Sequence, residues 1–297
     1  MKGISISVRA ASLGDDLRDV LPAAQRMGFA GVQLEALSST LDLLCLSNTG
    51  QREVRHLLAQ FDQRLVALRT QLPLGLTGDL DKTLWHLTRA IQAAADLQAQ
   101  MLCIDVGPIP PVPPTHAPRP SISARQAGMI LLPGDMDIPM PSEPPADPAE
   151  LAQWPAIEQA LAEIGKLADR YSLHLALSSE LSALPSLHRA VATAACPWIG
   201  IDLDPVAILR DRWDLAKVIS EAGSLLLHIR GRDALKGSGG RTQPTAVGRG
   251  TTDWQHLLDL LDEGAFRGWI SIDTLDLPDR VAHARKAADY LRMIVER

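Results

Sequence analysis

The chain is short of the residues that usually announce a location or a chemistry. It has three cysteines, Cys45, Cys103 and Cys196, in 297 residues. An odd count without a CxxC pair gives no disulfide framework and suits a reducing compartment. Cys103 lies inside an apolar run and reads as a buried thiol. Aromatic residues make up only 4% of the chain, although six of them are tryptophan. No run of about 18 apolar residues occurs, so no transmembrane helix is expected. The N-terminus passes from Met1 straight into an alternating strand, with no apolar leader. These absences point to a cytoplasmic protein without a membrane partner. A net charge of −6 argues against broad binding to nucleic acid.

What is present is ordinary globular composition, 46% hydrophobic and 22% charged, arranged as a regular alternation. Short apolar runs read as strands at Gly3–Val8, Gly31–Glu35, Leu65–Gln71, Met101–Val106, Leu173–Ser178, Trp198–Asp204, Leu225–Arg230 and Gly268–Asp273. Between them, helical spacing of apolar residues marks Asp15–Met27, Gln51–Gln63, Leu80–Ala99, Leu151–Tyr171, Pro185–Ala195, Asp214–Ala222, Asp253–Gly264 and Pro278–Val295. Gly28 is placed as the stop signal of the first helix. Strands that alternate with helices are most economically parallel, with the helices as crossovers. Eight such units predict an α/β fold, a (β/α)8 TIM barrel, as one domain over residues 1–297. A doubly wound sheet would carry a Gly-rich turn after its first strand, and Val8 to Gly14 does not supply one.

One segment breaks the alternation. Residues 107–148 hold thirteen of the 21 prolines, a composition that makes neither helix nor central strand. The segment follows the fourth strand, which places this Pro-rich insertion on the C-terminal rim, as a substrate-covering loop or as packing and oligomer contact.

The strand ends carry the chemistry. The sixth, seventh and eighth strands end at Asp204, His228 and Asp273. Carboxylate and imidazole are ligands for hard or borderline cations. Each also has a plainer reading: Asp204 precedes a proline and can cap a helix, and His228 can be a core histidine. Asp202 shares the parity of Asp204 and points into the barrel, where it needs a partner. Arg9, Glu35, Arg69, Asp105, Arg230 and Arg232 also fall at strand ends, as candidate substrate-binding groups. Guanidinium groups hold carboxylate or phosphate in pairs of hydrogen bonds, on an anionic substrate or on the barrel's own acids.

The tail of the pattern is the most distinctive part. After His228 comes Val247-Gly248-Arg249-Gly250-Thr251-Thr252-Asp253-Trp254, then Gly268-Trp269-Ile270-Ser271-Ile272-Asp273; near the start stands Gly28-Phe29-Ala30-Gly31-Val32-Gln33-Leu34-Glu35. This resembles the xylose isomerase-like TIM-barrel superfamily over nearly the whole chain outside the insertion. The resemblance implies a divalent metal, Mn or Mg, held by a Glu, an Asp, a His and a Glu after strands five to eight. Carried over, Asp204 and His228 match, Asp273 replaces the last Glu, and Ser178 stands where the first Glu belongs. Ala207 stands where the family has a further His. Glu180, two residues beyond Ser178, shares its strand parity if the strand continues and is then the candidate substitute ligand; its plainer reading is a solvated loop glutamate.

The expectation is thus a degenerate metal site of Asp204, His228, Asp273 and Glu180, weakly occupied or empty. Asp273 and Glu180 would be the catalytic acid and base. The implied activity is isomerase- or epimerase-like, on a small sugar, sugar acid or sugar phosphate, with the metal stabilising an enediolate. The alternatives are a catalytically inactive binding barrel and a lyase or dehydratase acting on a polyol. Homologous barrels often form homodimers, but the sequence marks no decisive patch for one.

Overall fold

The computed structural model describes residues 3–72, 75–110, 152–179, 184–237 and 241–296. Eight strands form a closed parallel barrel: Ser5–Arg9 (β1), Gly31–Glu35 (β2), Arg64–Gln71 (β3), Met101–Asp105 (β4), His174–Ser178 (β5), Ile199–Leu203 (β6), Leu226–Gly231 (β7) and Trp269–Ile272, the last being β10 in chain order. Each strand pairs in parallel with its neighbours around the ring, and β10 closes on β1 through Ser5↔Trp269 to Val8↔Ile272. The strand positions agree with the apolar runs to within one or two residues. Residues 111–148 of the Pro-rich insertion lie outside the described residues.

The helices are Leu17–Arg26 (α1), Asn48–Gln60 (α2), Leu80–Asp96 (α3), Trp154–Tyr171 (α4), Leu184–Ala194 (α5), Pro205–Asp211 (α6), Leu215–Ala222 (α7), Trp254–Glu263 (α8) and Arg280–Val295 (α9). Several start on an aspartate that accepts a backbone N–H of the first turn, such as Asp16, Asp79 and Asp253. Gly28 follows α1 with φ of +72°, a conformation that suits glycine and lets the chain turn into β2. The apolar face of each helix lies on the barrel wall. Leu21, Leu87, Ile91, Leu161, Ile164, Trp254 and Leu291 are fully buried there. Inside the barrel, a smaller apolar cluster of Ala67, Met101, Cys103, Ala176 and Trp269 fills the lower part.

A short helix and a hairpin were among the elements not expected. Helix α6 is a single short piece directly after β6, capped by Asp204 and begun by Pro205. The chain also leaves β7 into an antiparallel hairpin, Asp233–Lys236 (β8) with Thr242–Thr245 (β9), paired from Asp233↔Thr245 to Lys236↔Thr242.

That hairpin explains the glycine turn. The buried Asp233 carboxylate accepts from the backbone N–H of Ala234 (2.9 Å), Gly248 (3.0 Å), Gly250 (3.1 Å) and Thr252 (3.2 Å), and from Trp254 Nε1 (3.2 Å). The turn is therefore moulded around one anion. A Cβ on Gly250 would stand 2.1 Å from Asp233 Oδ1 and 2.7 Å from the Ala234 carbonyl oxygen. Gly250→Ala is expected to lower stability by about 1–3 kcal/mol, the usual range for forced overpacking, as read by urea unfolding. A neutral result would mean that the turn is not built on Asp233.

Candidate functional site

Alternation along the strands stacks two polar layers inside the barrel. Ser7, Gln33, Cys103, Asp202, His228 and Ser271 each precede by two residues Arg9, Glu35, Asp105, Asp204, Arg230 and Asp273 on their strands, so each pair shares the inward face. The first set makes a layer below the mouth and the second makes the C-terminal rim.

The lower layer is a hydrogen-bonded chain. His228 Nδ1 meets Asp202 Oδ1 at 2.7 Å, and its Nε2 meets Ser271 Oγ at 2.7 Å. Ser271 Oγ in turn meets Ser7 Oγ at 2.7 Å, and the Ser7 hydroxyl donates to the Ile270 carbonyl at 3.5 Å. Both Asp202 and His228 side chains are fully buried. Burial works against charge on the imidazole, but the Cys103 sulfur and the Asp202 carboxylate overcome it and push the His228 pKa up to about 10. Burial likewise works against the Asp202 anion, and Arg230, His228 and Arg69 hold its carboxyl well below the usual range.

Two arginines tie the layers together. Arg230 Nε donates to Asp202 Oδ2 at 2.9 Å, and its NH2 donates to Ser178 Oγ at the end of β5. Arg69 NH1 reaches the same Asp202 oxygen at 3.3 Å, and its NH2 lies 3.8 Å from Asp105. At the rim, Arg9 bridges Glu35 and Asp273, at 2.7 Å each. Arg232 bridges Asp204 at 3.1 Å and the outlying Asp276 at 2.9 Å. Burial opposes the Asp273 anion, yet Arg9 and Arg232 lower its pKa.

This geometry sets the expected ligands in different places. Asp204 caps α6 through Oδ1, which accepts from Val206 N–H at 2.9 Å, and turns Oδ2 to Arg232. His228 sits one layer lower, with both ring nitrogens hydrogen-bonded. Asp273 is held by Arg9 and by the Leu275 N–H at 3.2 Å. Glu180 lies outside the described residues. Among the described residues, the one set of three potential ligand atoms within 4.8 Å of one another is Cys103, Asp202 and His228, all fully buried. Asp204, His228 and Asp273 are therefore not brought together as one ligand set. The two aspartates already face guanidinium groups, and His228 spends its nitrogens on Asp202 and Ser271. These residues do not fit a divalent ion. Ser7, Gln33, Ser271, Asp233 and Asp276 were polar groups not singled out in the sequence. Shared parity with Arg9 and Asp273 was the available signal for the two serines.

The parts define a closed parallel barrel whose mouth is lined by paired acids and guanidinium groups. The family model described as xylose isomerase-like TIM barrel matches residues 21–294, and the chain belongs to that family. Solved structures agree at the level of fold. A xylose isomerase domain protein from Planctomyces limnophilus superposes with a TM-score of 0.69 at 15% identity, over 99% of this chain and 95% of its own. The 3-keto-D-glucoside 4-epimerase of E. coli gives 0.66 at 15%, over 99% and 100%. A probable 3-DHS dehydratase involved in petrobactin synthesis from Bacillus anthracis gives 0.70 at 13%, over 97% and 98%. No curated protein matches the chain.

Asp202 is the keystone of these layers, and two outcomes follow. Asp202→Ala strands Arg230 and Arg69 without their shared anion and is expected to cost about 3–5 kcal/mol in urea unfolding; a cost below about 1 kcal/mol would contradict the keystone role. Because the folded His228 pKa is raised, its contribution to stability is complete below its unfolded value of about 6.5. It is lost as pH rises toward about 10. Unfolding free energy should therefore fall between these limits, and His228→Gln should flatten that slope. An unchanged slope in the variant would show that another group titrates.

Proposed function

We propose that the barrel recognises a small, neutral, polyhydroxylated molecule of the sugar or polyol kind at its C-terminal rim. The carrying observation is the charge balance of the mouth. At the rim, Glu35, Asp105, Asp204 and Asp273 are met by Arg9, Arg69, Arg230 and Arg232, and one layer below, Asp202 is met by His228, Arg69 and Arg230. A guanidinium offers a planar fan of donors and a carboxylate offers acceptors only. Side by side they can satisfy both halves of a sugar hydroxyl, which donates and accepts. A phosphate ester or a sugar acid asks for an excess of positive charge, and these groups hold none in reserve.

The same geometry ranks the possible chemistries. Proton abstraction from a sugar carbon needs a carboxylate poised near neutral pH. Asp273 sits beside Arg9 with its pKa lowered, which makes it a weak base. Recognition is thus the better supported reading, and isomerase- or epimerase-like proton transfer and dehydration of a polyol are the competing outcomes. Glu180 is the second carboxylate that proton transfer would require. The three free cysteines suit a reducing, cytoplasmic setting for this activity.

Calorimetry with a panel of free pentoses and hexoses, D-fructose among them, and with their phosphates tests the proposal. At least one free sugar should bind, and its phosphate should bind more weakly. Arg232→Gln and Glu35→Gln should each weaken the free sugar about tenfold, equivalent to about 1.4 kcal/mol. Tighter binding of the phosphates would overturn the charge-balance argument. Interconversion of a bound sugar, followed by NMR, would instead establish catalysis.

A further inference from the structure

A barrel mouth with four inward carboxylates, and Asp202 one layer below them, ordinarily invites a cation. We infer that here Arg230 occupies that role, and that this one guanidinium, fixed between β5, β6 and β7, closes the rim to divalent ions. The inference deepens the reading of the rim as a sugar site by making that site metal-independent.

Arg230 leaves the end of β7 with its side chain 3% exposed, so its charge is built into the barrel and not laid over it. It reaches sideways to Asp202 on β6 and onward to Ser178 at the tip of β5. Its NH1 lies 3.9 Å from Asp204, the acid one layer higher. One planar cation thereby touches the ends of two neighbouring strands as well as its own. A hard divalent ion in that space would need an anionic oxygen shell. It would meet a guanidinium whose pKa is raised by Asp202 and Asp204, against the effect of burial, and which cannot give up its proton.

Ser178 completes the device. A carboxylate at that position would compete with Asp202 for the Arg230 guanidinium. A hydroxyl accepts one Arg230 hydrogen bond and donates its own to the Ile104 carbonyl at 3.3 Å. The neighbouring acids are closed in the same manner, Asp273 by Arg9 and Asp204 by Arg232. Removal of Arg230 alone would leave Asp202 and Asp204 with less positive charge than they now have. An added carboxylate at 178 would raise the count of anionic oxygens facing the same space.

The test is a titration of the full-length chain with Mn(II), followed by electron paramagnetic resonance of the free ion. The wild-type protein is expected to remove no Mn(II) from solution up to 1 mM, on the order of the weakest sites for such ions. The Ser178→Glu/Arg230→Met double variant, checked for folding by circular dichroism, is expected to bind one Mn(II), and Arg230→Lys to bind none. Binding of one Mn(II) by the wild-type protein overturns the inference, and this arm needs no variant. A folded double variant that stays blind to Mn(II) overturns the assignment to Arg230. Sugar binding measured with chelator present reports separately on the rim, so failure of one reading does not disguise failure of the other.

Discussion

The Asp202 carboxylate receives the His228 ring on one oxygen and the Arg230 and Arg69 guanidinium groups on the other. It does so at full burial, where an unpaired charge is costly and a paired one is tightly held. The chain of His228, Ser271 and Ser7 and the two inner guanidinium groups are arranged around this anion. The His228 ring continues through Ser271 and Ser7 to a backbone carbonyl, so the lower layer has a defined end. Arg230 and Arg69 carry the same interaction upward and sideways, to Ser178 and Asp105. The rim is then an extension of the core and not a separate loop structure.

That continuity has a consequence for ligand chemistry. A rim whose carboxylates are pre-paired has less need of an external cation to keep it folded. It also has less attraction for one, because each acid already faces a fixed positive group. Such a surface offers many directed hydrogen bonds and little net field. Neutral polyols match that description better than phosphates do. The arrangement also limits catalysis: an aspartate beside a guanidinium is a stable anion, a poor acceptor for a proton taken from carbon.

The barrel was readable because its signal repeats. Each apolar run such as Met101–Asp105 or Trp269–Ile272 is buried on its outer side by a helix, and that burial writes the alternation into the sequence. The hairpin Asp233–Lys236 with Thr242–Thr245 was hidden by the same logic. It is short and polar, and Pro244 within it weakens the strand pattern. Helix α6 carried its start signal, Asp204 followed by Pro205, but was too short to show a period. At the site, the residue types were legible and their partners were not. Asp204 and His228 share the chemistry of metal ligands, yet spacing along the chain cannot say that one stands a layer above the other. Nor can it say that Arg230, two residues beyond His228, turns toward Asp202. Strand-end position gathered these residues at one end of the barrel; the choice between metal and guanidinium needed the contact geometry.

The most direct measurement of this account is anomalous diffraction from crystals of the protein grown in Mn(II). The Arg230 guanidinium is expected to sit on Asp202 and Ser178, with no manganese peak at the rim. A manganese peak bound by Asp204 and Asp273, with Arg230 displaced from Asp202, would contradict it.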